Sequence, residues 1–434
     1  MKPAVRRPAL FGWAAVALVA ATGVLYVLSR GKWSDPIIDS GREWIVPDAL
    51  SRGDLLYRDV VFWFGPVTPY VHAAFFRLFG SSFRTLVLAG AFAGLAALFV
   101  LYRALRLVTD HRSGAAWTAV AVPLLLFMPS AGGVLLGMGL RMWHAAIFAL
   151  LALTLAATRS GGPSTRALDL AAGAVAGLAG LCRSEWGIAA FAGVAAAFAL
   201  RAPGPLPLAS LARLAAAFLA VFGGGLGLFM LLAGVPALLH DAPVLLWNLP
   251  GETRASAASV HPWIWARGTV QMAYGAFAWL SLFLVIEILS GSGARESASA
   301  RTSGIARGRL ALLAVLLALA GVCAAIAGLP NDVVLCATPL LCAASMAAAI
   351  RMPRGTRAAV LGGSGVLGVL TAYRRPFFLT DGPYIAPPVL FAILCAAGCL
   401  AVAVDRREPA VRARLSGAIA STAAALAGAL FLIR

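Results

Sequence analysis

Asp39 and Glu43 stand four residues apart in the segment Asp39-Ser-Gly-Arg-Glu43. If the segment is helical the two carboxylates share a face, an arrangement that suits a general base or a divalent cation. They belong to a polar island, residues 29–83, that holds Asp35, Asp39, Glu43, Asp48, Asp54 and Asp59, six of the 17 acidic residues in the chain. Arginines provide the complementary chemistry. Arg141, Arg183, Arg267, Arg374 and Arg375 border apolar runs, and a guanidinium binds phosphate oxygens through charge-assisted, often bidentate contacts. Arg374 and Arg375 rank first as phosphate ligands, being adjacent and followed by the Pro- and aromatic-rich stretch Pro376–Tyr384. Arg183 and Glu185 share a very short turn between two apolar runs, where charged residues are expected to pair or to function. Of the five histidines, His72, His144, His240 and His261 fall on the same side as the polar island. None repeats at metal-ligand spacing. Asp39 or Glu43 together with His144 or His261 could hold a divalent cation, but no pattern requires a metal or other cofactor.

The surroundings of these residues are those of a membrane protein. The 434 residues are 61% hydrophobic and only 12% charged, with a mean hydropathy of +0.89, against about 25% charged residues in a soluble domain. Apolar runs lie near 10–28, 85–103, 115–130, 143–158, 168–182, 186–200, 211–234, 268–290, 309–328, 333–350, 358–372, 384–404 and 415–433. Each span needs about 20 mostly apolar residues, so the expected architecture is all-α, a single polytopic domain over 1–434 with about thirteen transmembrane helices. The first run, 10–28, is longer than a signal-peptide core and reads as an uncleaved span. The net charge of +18 comes almost wholly from arginines scattered between apolar runs. That pattern excludes a nucleic-acid binder, which needs a contiguous basic face. The cysteines (Cys182, Cys323, Cys336, Cys342, Cys395 and Cys399) lie in or beside apolar runs without zinc spacing and read as packing residues. Gly223–Gly225 and Gly362–Gly363 read as helix-packing sites.

Lys and Arg in short loops mark the cytoplasmic side. Placing the N-terminus inside puts Arg103, Arg106, Arg112, Arg159, Arg166, Arg201, Arg213, Arg351, Arg354 and Arg357 inside. Residues 29–83 then lie outside, as do the segments 131–143, 235–267 and 373–383, and the C-terminus is outside. The expected location is the cytoplasmic (inner) membrane, with the chemistry at the outer face. Trp44, Trp63, Trp143, Trp186, Trp263 and Trp265 suit the interfacial aromatic belt.

Within the polar island the order of motifs is Gly53, Tyr57-Arg58-Asp59, Gly65-Pro66-Val67-Thr68-Pro69-Tyr70 and Leu78-Phe79-Gly80. This order, following an acidic site after the first span, resembles the GT-C-fold glycosyltransferases that use polyprenyl-phosphate sugars, the group of the protein mannosyltransferases and aminoarabinose transferases. The specific likeness covers about residues 35–84. It implies a long first outer loop with juxtamembrane helices and a sugar donor whose lipid tail lies in the bilayer. It further implies transfer, with inversion, to a glycan, lipid or protein acceptor. Asp39 is the expected base. Relatives carry adjacent Asp-Glu at this site where this chain has Asp39-Ser40, with Glu43 a turn later, so either carboxylate could serve. Tyr57, Asp59 and Tyr70 would contact substrate, with Arg141, Arg183, Arg374 and Arg375. The rival class is a transporter or lipid-linked-sugar flippase. Such proteins show related halves and polar residues at the midplane, whereas here only Glu287 lies well within a run and the other charged residues sit at run edges.

Overall fold

The structure, a computed structural model, describes residue 27 and residues 39–126, 140–159, 164–201, 208–237, 338–372 and 388–405. Eleven α-helices account for nearly all of them: α1 (Asp39–Ser51), α2 (Val67–Phe79), α3 (Phe83–Leu105), α4 (His111–Leu126), α5 (Leu140–Thr158), α6 (Ser164–Cys182), α7 (Ser184–Arg201), α8 (Leu208–Ala233), α9 (Thr338–Arg351), α10 (Thr356–Ala372) and α11 (Val389–Asp405). Nine of the thirteen apolar runs coincide with α3–α11. The runs at 268–290, 309–328 and 415–433, and all of 10–28 but residue 27, lie outside the described residues. Phe83–Leu105, Thr165–Cys182 and Leu208–Ala233 are long and apolar enough to cross a membrane. At 1.5 Å per residue the 23 residues of α3 reach about 34 Å, against a hydrocarbon core of about 30 Å. This is a multi-pass, all-helical membrane protein.

The helices close on one another through alanine and glycine. α5, α6, α7 and α10 form the centre; α8 lies on α6, α9 and α11 lie on α10, and α3 packs against α5. Gly193 of α7 and Gly363 of α10 meet backbone to backbone. A Cβ on either would come within 2.9 Å of the other's carbonyl oxygen. In lipid, helices associate by van der Waals packing rather than by a hydrophobic drive, so such close approach is what holds them. Gly362 and Gly225 instead receive the side chains of Leu200 and Leu181, whereas a Cβ on Gly223 or Gly224 would meet no atom within 4 Å among the described residues. Instead of packing, they lie on an α8 whose apolar side chains, such as Leu219 and Leu231, face away from the other described helices.

One end of the bundle is tied by ions. Asp169 of α6, fully buried, accepts from the Arg213 guanidinium at 2.8 Å and pairs with Arg159 at 3.5 Å. A buried carboxylate needs such cations, and here they clamp the start of α6 to α8 and to the end of α5. The opposite end carries α1 and α2.

Candidate active site

α1 and α2 are the two helices of residues 29–83, and the segment between them is shaped by its own side chains. α1 begins at Asp39, so Asp39 and Glu43 do sit one turn apart on a helix. Pro47 lies inside α1 and has no N–H to offer the Glu43 carbonyl four residues back. At the end of α1, Arg77 of α2 donates from Nε to the Ser51 carbonyl and from Nη2 to the Leu50 carbonyl, both at 3.1 Å. These are the carbonyls a helix leaves open, and a cation there also suits the dipole.

The following turn places three of the expected substrate residues. Asp59 accepts from the Leu55 N–H at 2.8 Å and from Arg58. The Arg58 hydrogen bond, with the Leu55 N–H, lowers the Asp59 carboxyl to about 2. Tyr57 adopts φ 70°, left-handed for a non-glycine residue. Its phenol is buried and donates to the Phe64 carbonyl at 2.7 Å, and burial raises its pKa. The Tyr57 and Tyr70 rings both pack on Phe229 of α8, with centroids 5.3 and 5.8 Å away. Asp59, Tyr57 and Tyr70 therefore fold the loop and dock it onto the bundle.

The docking point brings the chemistry together. A Cβ on Gly65 would lie 1.9 Å from the Leu181 carbonyl oxygen, so only glycine lets the loop touch the end of α6. That contact places Phe64 beside Arg183, whose guanidinium carbon is 5.3 Å from the ring centroid; the Arg42 guanidinium carbon is 5.4 Å from the same ring. Arg183 also pairs with Glu185 through Nη2. Its Nε and Nη1, and the Nε1 of Trp186 at the start of α7, are buried without a hydrogen-bond partner among the described residues.

Glu43 is only 3% exposed and faces α2, where His72 is fully buried; Nδ1 of His72 is 4.0 Å from Glu43 Oε2. The His72 ring lies 5.4 Å from that of His144 on α5. His144 Nδ1 is 3.1 Å from the Thr68 hydroxyl. Burial, reinforced by His144, holds the His72 pKa well below its usual value, so His72 is neutral at pH 7. Among the described residues no three His, Cys, Asp or Glu side chains form a metal-binding group.

Of the residues expected from sequence, Glu43, Tyr57, Tyr70 and Arg183 are thus gathered where α1 and α2 meet the α6–α7 turn. Arg141 is the second residue of α5, three before His144. Arg374, Arg375, Arg267 and His261 lie outside the described residues. Sequence reasoning assigns no role to Arg42 or Phe64, names Thr68 only as part of a motif, and places His72 on the side of the polar island without a partner. The available signals were Arg42 inside the acidic segment, Phe64 immediately before the Gly-Pro motif and Thr68 inside it.

Residues 64–247 match the family model described as dolichyl-phosphate-mannose-protein mannosyltransferase. The match starts at Phe64 and takes in α2, His144 and the α6–α7 turn. The structure is similar over 93% of the chain to ArnT from Cupriavidus metallidurans bound to undecaprenyl phosphate, with a TM-score of 0.54 and 18% identity. The chain has the GT-C fold. The oligosaccharyltransferase AglB from Archaeoglobus fulgidus, in complex with an inhibitory peptide and a dolichol-phosphate, is similar over 96% of the chain, with a TM-score of 0.52 and 14% identity. The chain spans 62% of the ArnT length and 55% of the AglB length. No curated protein matches it by sequence. In this GT-C chain the first loop is tied to the bundle at Gly65 and Phe229, and Arg42 of α1 shares the Phe64 ring with Arg183 of the α6–α7 turn.

Proposed function

We propose that this GT-C protein transfers a sugar from a polyprenyl-phosphate donor to an acceptor hydroxyl or amine at the outer face of the cytoplasmic membrane. The observation that carries the reading is the junction at Phe64 and Gly65. It sets a buried carboxylate, Glu43, and two guanidiniums, Arg42 and Arg183, at one end of an apolar bundle. The two solved neighbours whose names include undecaprenyl phosphate and dolichol-phosphate share its fold.

In this mechanism a carboxylate of α1, Asp39 or Glu43, takes the proton of the acceptor. The acceptor oxygen or nitrogen bonds to the anomeric carbon from the side opposite the phosphate, the carbon–oxygen bond to the phosphate breaks, and its electron pair stays on the phosphate. Arg183 supports the departing phosphate with Nε and Nη1, which have no hydrogen-bond partner among the described residues, at about 1.5–3 kcal/mol per charge-assisted hydrogen bond. Arg141, Arg374 and Arg375 are proposed to join it. A divalent cation is not needed for this balance.

The test uses the full chain, purified and reconstituted in vesicles. Radiolabelled polyprenyl-phosphate mannose and other polyprenyl-phosphate sugars are offered with lipid, glycan and peptide acceptors. Label leaving the polyprenyl phosphate for an acceptor supports the reading. Movement of the intact donor between leaflets, without loss of its sugar, would replace it with a flippase.

A further inference from the structure

Two nitrogens in this site are unaccounted for. His72 is fully buried, and neither Nδ1 nor Nε2 has a hydrogen-bond partner among the described residues. Burying an unmatched polar group is costly, and a phenylalanine would fill the same space among Phe76, Ala73 and the neighbouring helices without that cost. The ring is held from several sides. α2 carries it against α1, α5 and α6, the His144 ring lies 5.4 Å away, and His144 is fixed in turn by Thr68 at 3.1 Å. With the ring anchored, the group it faces is Glu43, whose Oε2 is 4.0 Å from Nδ1. A shift of about 1 Å makes this a hydrogen bond of ordinary length.

We propose that His72 is a positioning residue for Glu43, and that Glu43 is the base of the transfer reaction. A neutral imidazole donates Nδ1–H to one carboxylate oxygen and so orients the carboxylate that takes the proton of the acceptor. The inference rests on the glycosyltransferase reading and chooses between the two carboxylates of α1. In the step, the acceptor proton passes to Glu43, the acceptor atom bonds to the anomeric carbon, and the sugar–phosphate bond breaks with its electrons on the phosphate. The near-complete burial of Glu43 favours the role. Glycosyl transfer competes with hydrolysis, and a base shielded from water activates only an acceptor that displaces the cover.

The charged and titratable groups on the elements packed at this end are Asp39, Arg42 and Asp48 on α1, Tyr70 and Arg77 on α2, Arg84 on α3, Arg141 and His144 on α5, Cys182 on α6, and Arg183 and Glu185 in the turn after it. A donor on His72 stabilises the ionised form of Glu43, whatever the other charges at this end contribute. Removing the donor therefore raises the pKa of Glu43 and moves the acid limb of the pH–rate profile upward.

Two measurements on the full chain test this. In protein labelled with [15N]histidine, the nitrogen shifts of His72, assigned by comparison with His72→Gln, report its tautomer. The expected form carries the proton on Nδ1, and Glu43→Gln changes the balance. A proton on Nε2 that is indifferent to Glu43→Gln overturns the proposal. For sugar transfer, Glu43→Gln should lower kcat about 10²–10⁴-fold. His72→Phe should lower kcat with little change in KM for the donor and shift the acid limb upward by about one pH unit. His72→Gln, which keeps an N–H donor, should recover part of both. Full activity in Glu43→Gln, or an unmoved acid limb in both His72 variants, also overturns it. If the unmodified protein transfers no sugar from any donor, the glycosyltransferase reading falls and the base role with it. A His72 tautomer set by Glu43 would then mark a structural pair alone.

Discussion

At the scale of single residues the question is which charges touch substrate and which hold the loop. Asp39→Asn and Glu43→Gln keep size and remove charge. If Glu43 is the base, Glu43→Gln costs about 10²–10⁴ in kcat and Asp39→Asn costs much less; the reverse order of losses returns the role to Asp39. Arg183→Ala should weaken donor binding or leaving-group departure by about 1.5–3 kcal/mol. Arg183→Lys should rescue only part, since an ammonium lacks the planar fork; donor titrations and kcat measured on both variants check this. Asp59 behaves differently, as its carboxylate serves the turn at Leu55. The folded carboxyl titrates at about 2, below its ordinary 3.8. Its contribution is therefore complete above pH 3.8 and lost as pH falls through about 2. Hydrogen exchange at the Leu55 amide should show protection near neutral pH that fades over that window, and Asp59→Asn should flatten the dependence.

At the scale of elements, the site depends on two helices that reach the bundle through few contacts. Gly65→Ala drives a methyl group into the Leu181 carbonyl. The backbone on both sides must move, at a cost of about 1–3 kcal/mol, and Arg42 and Arg183 no longer share Phe64. The expected outcome is a lower Tm and a loss of turnover larger than the loss of donor binding. Phe229→Ala removes the ring on which Tyr57 and Tyr70 both pack, at about 3–5 kcal/mol. Limited proteolysis should then cut the 52–63 segment in the variant while α3–α7 stay intact. The helices of the bundle were legible in sequence because a span announces itself by continuous apolarity, and the runs at 85–103 and 358–372 fall within α3 and α10. Asp39 and Glu43 were legible as a pair for a local reason, since four residues of spacing on a helix bring them to one face. The partners of Glu43 were not. His72 and His144 are 72 positions apart, and nothing in the spacing of either shows that α2 lies on α5. Phe64 reads as one more loop aromatic until Gly65 is seen to seat it against Leu181.

At the scale of the molecule, the two ends of the bundle are chemically unlike, and that difference supports an orientation. Glu43, His72, Arg183 and the loop between α1 and α2 lie at one end. The buried Asp169 with Arg159 and Arg213 lies at the other, together with Arg201, which donates to the Ala157 carbonyl and to Thr356 Oγ1. Arg103, Arg106, Arg166, Arg351, Arg354 and Arg357 flank the helix ends on that second side. Arginine in short loops stays on the cytoplasmic side, so the Asp169 end is expected inside and the α1–α2 end outside. A polyprenyl-phosphate donor would then present its sugar at the outer interface, where α1 exposes Trp44 and Ile45 and α2 exposes Leu78 and Phe79 beside the lipid surface. Reporter fusions at Arg166 and at Ala257 should give opposite location signals, inside for Arg166 and outside for Ala257. A cysteine at Gly53, a turn residue with φ 110° and no neighbour within 4 Å, should react with a membrane-impermeant maleimide in intact cells, whereas one at Arg166 should react only after permeabilisation. The same signal at Arg166 and Ala257, or labelling of position 166 alone in intact cells, would reverse or dismantle the orientation. It would then place the chemistry of Glu43 and Arg183 on the cytoplasmic face, facing donors and acceptors made there.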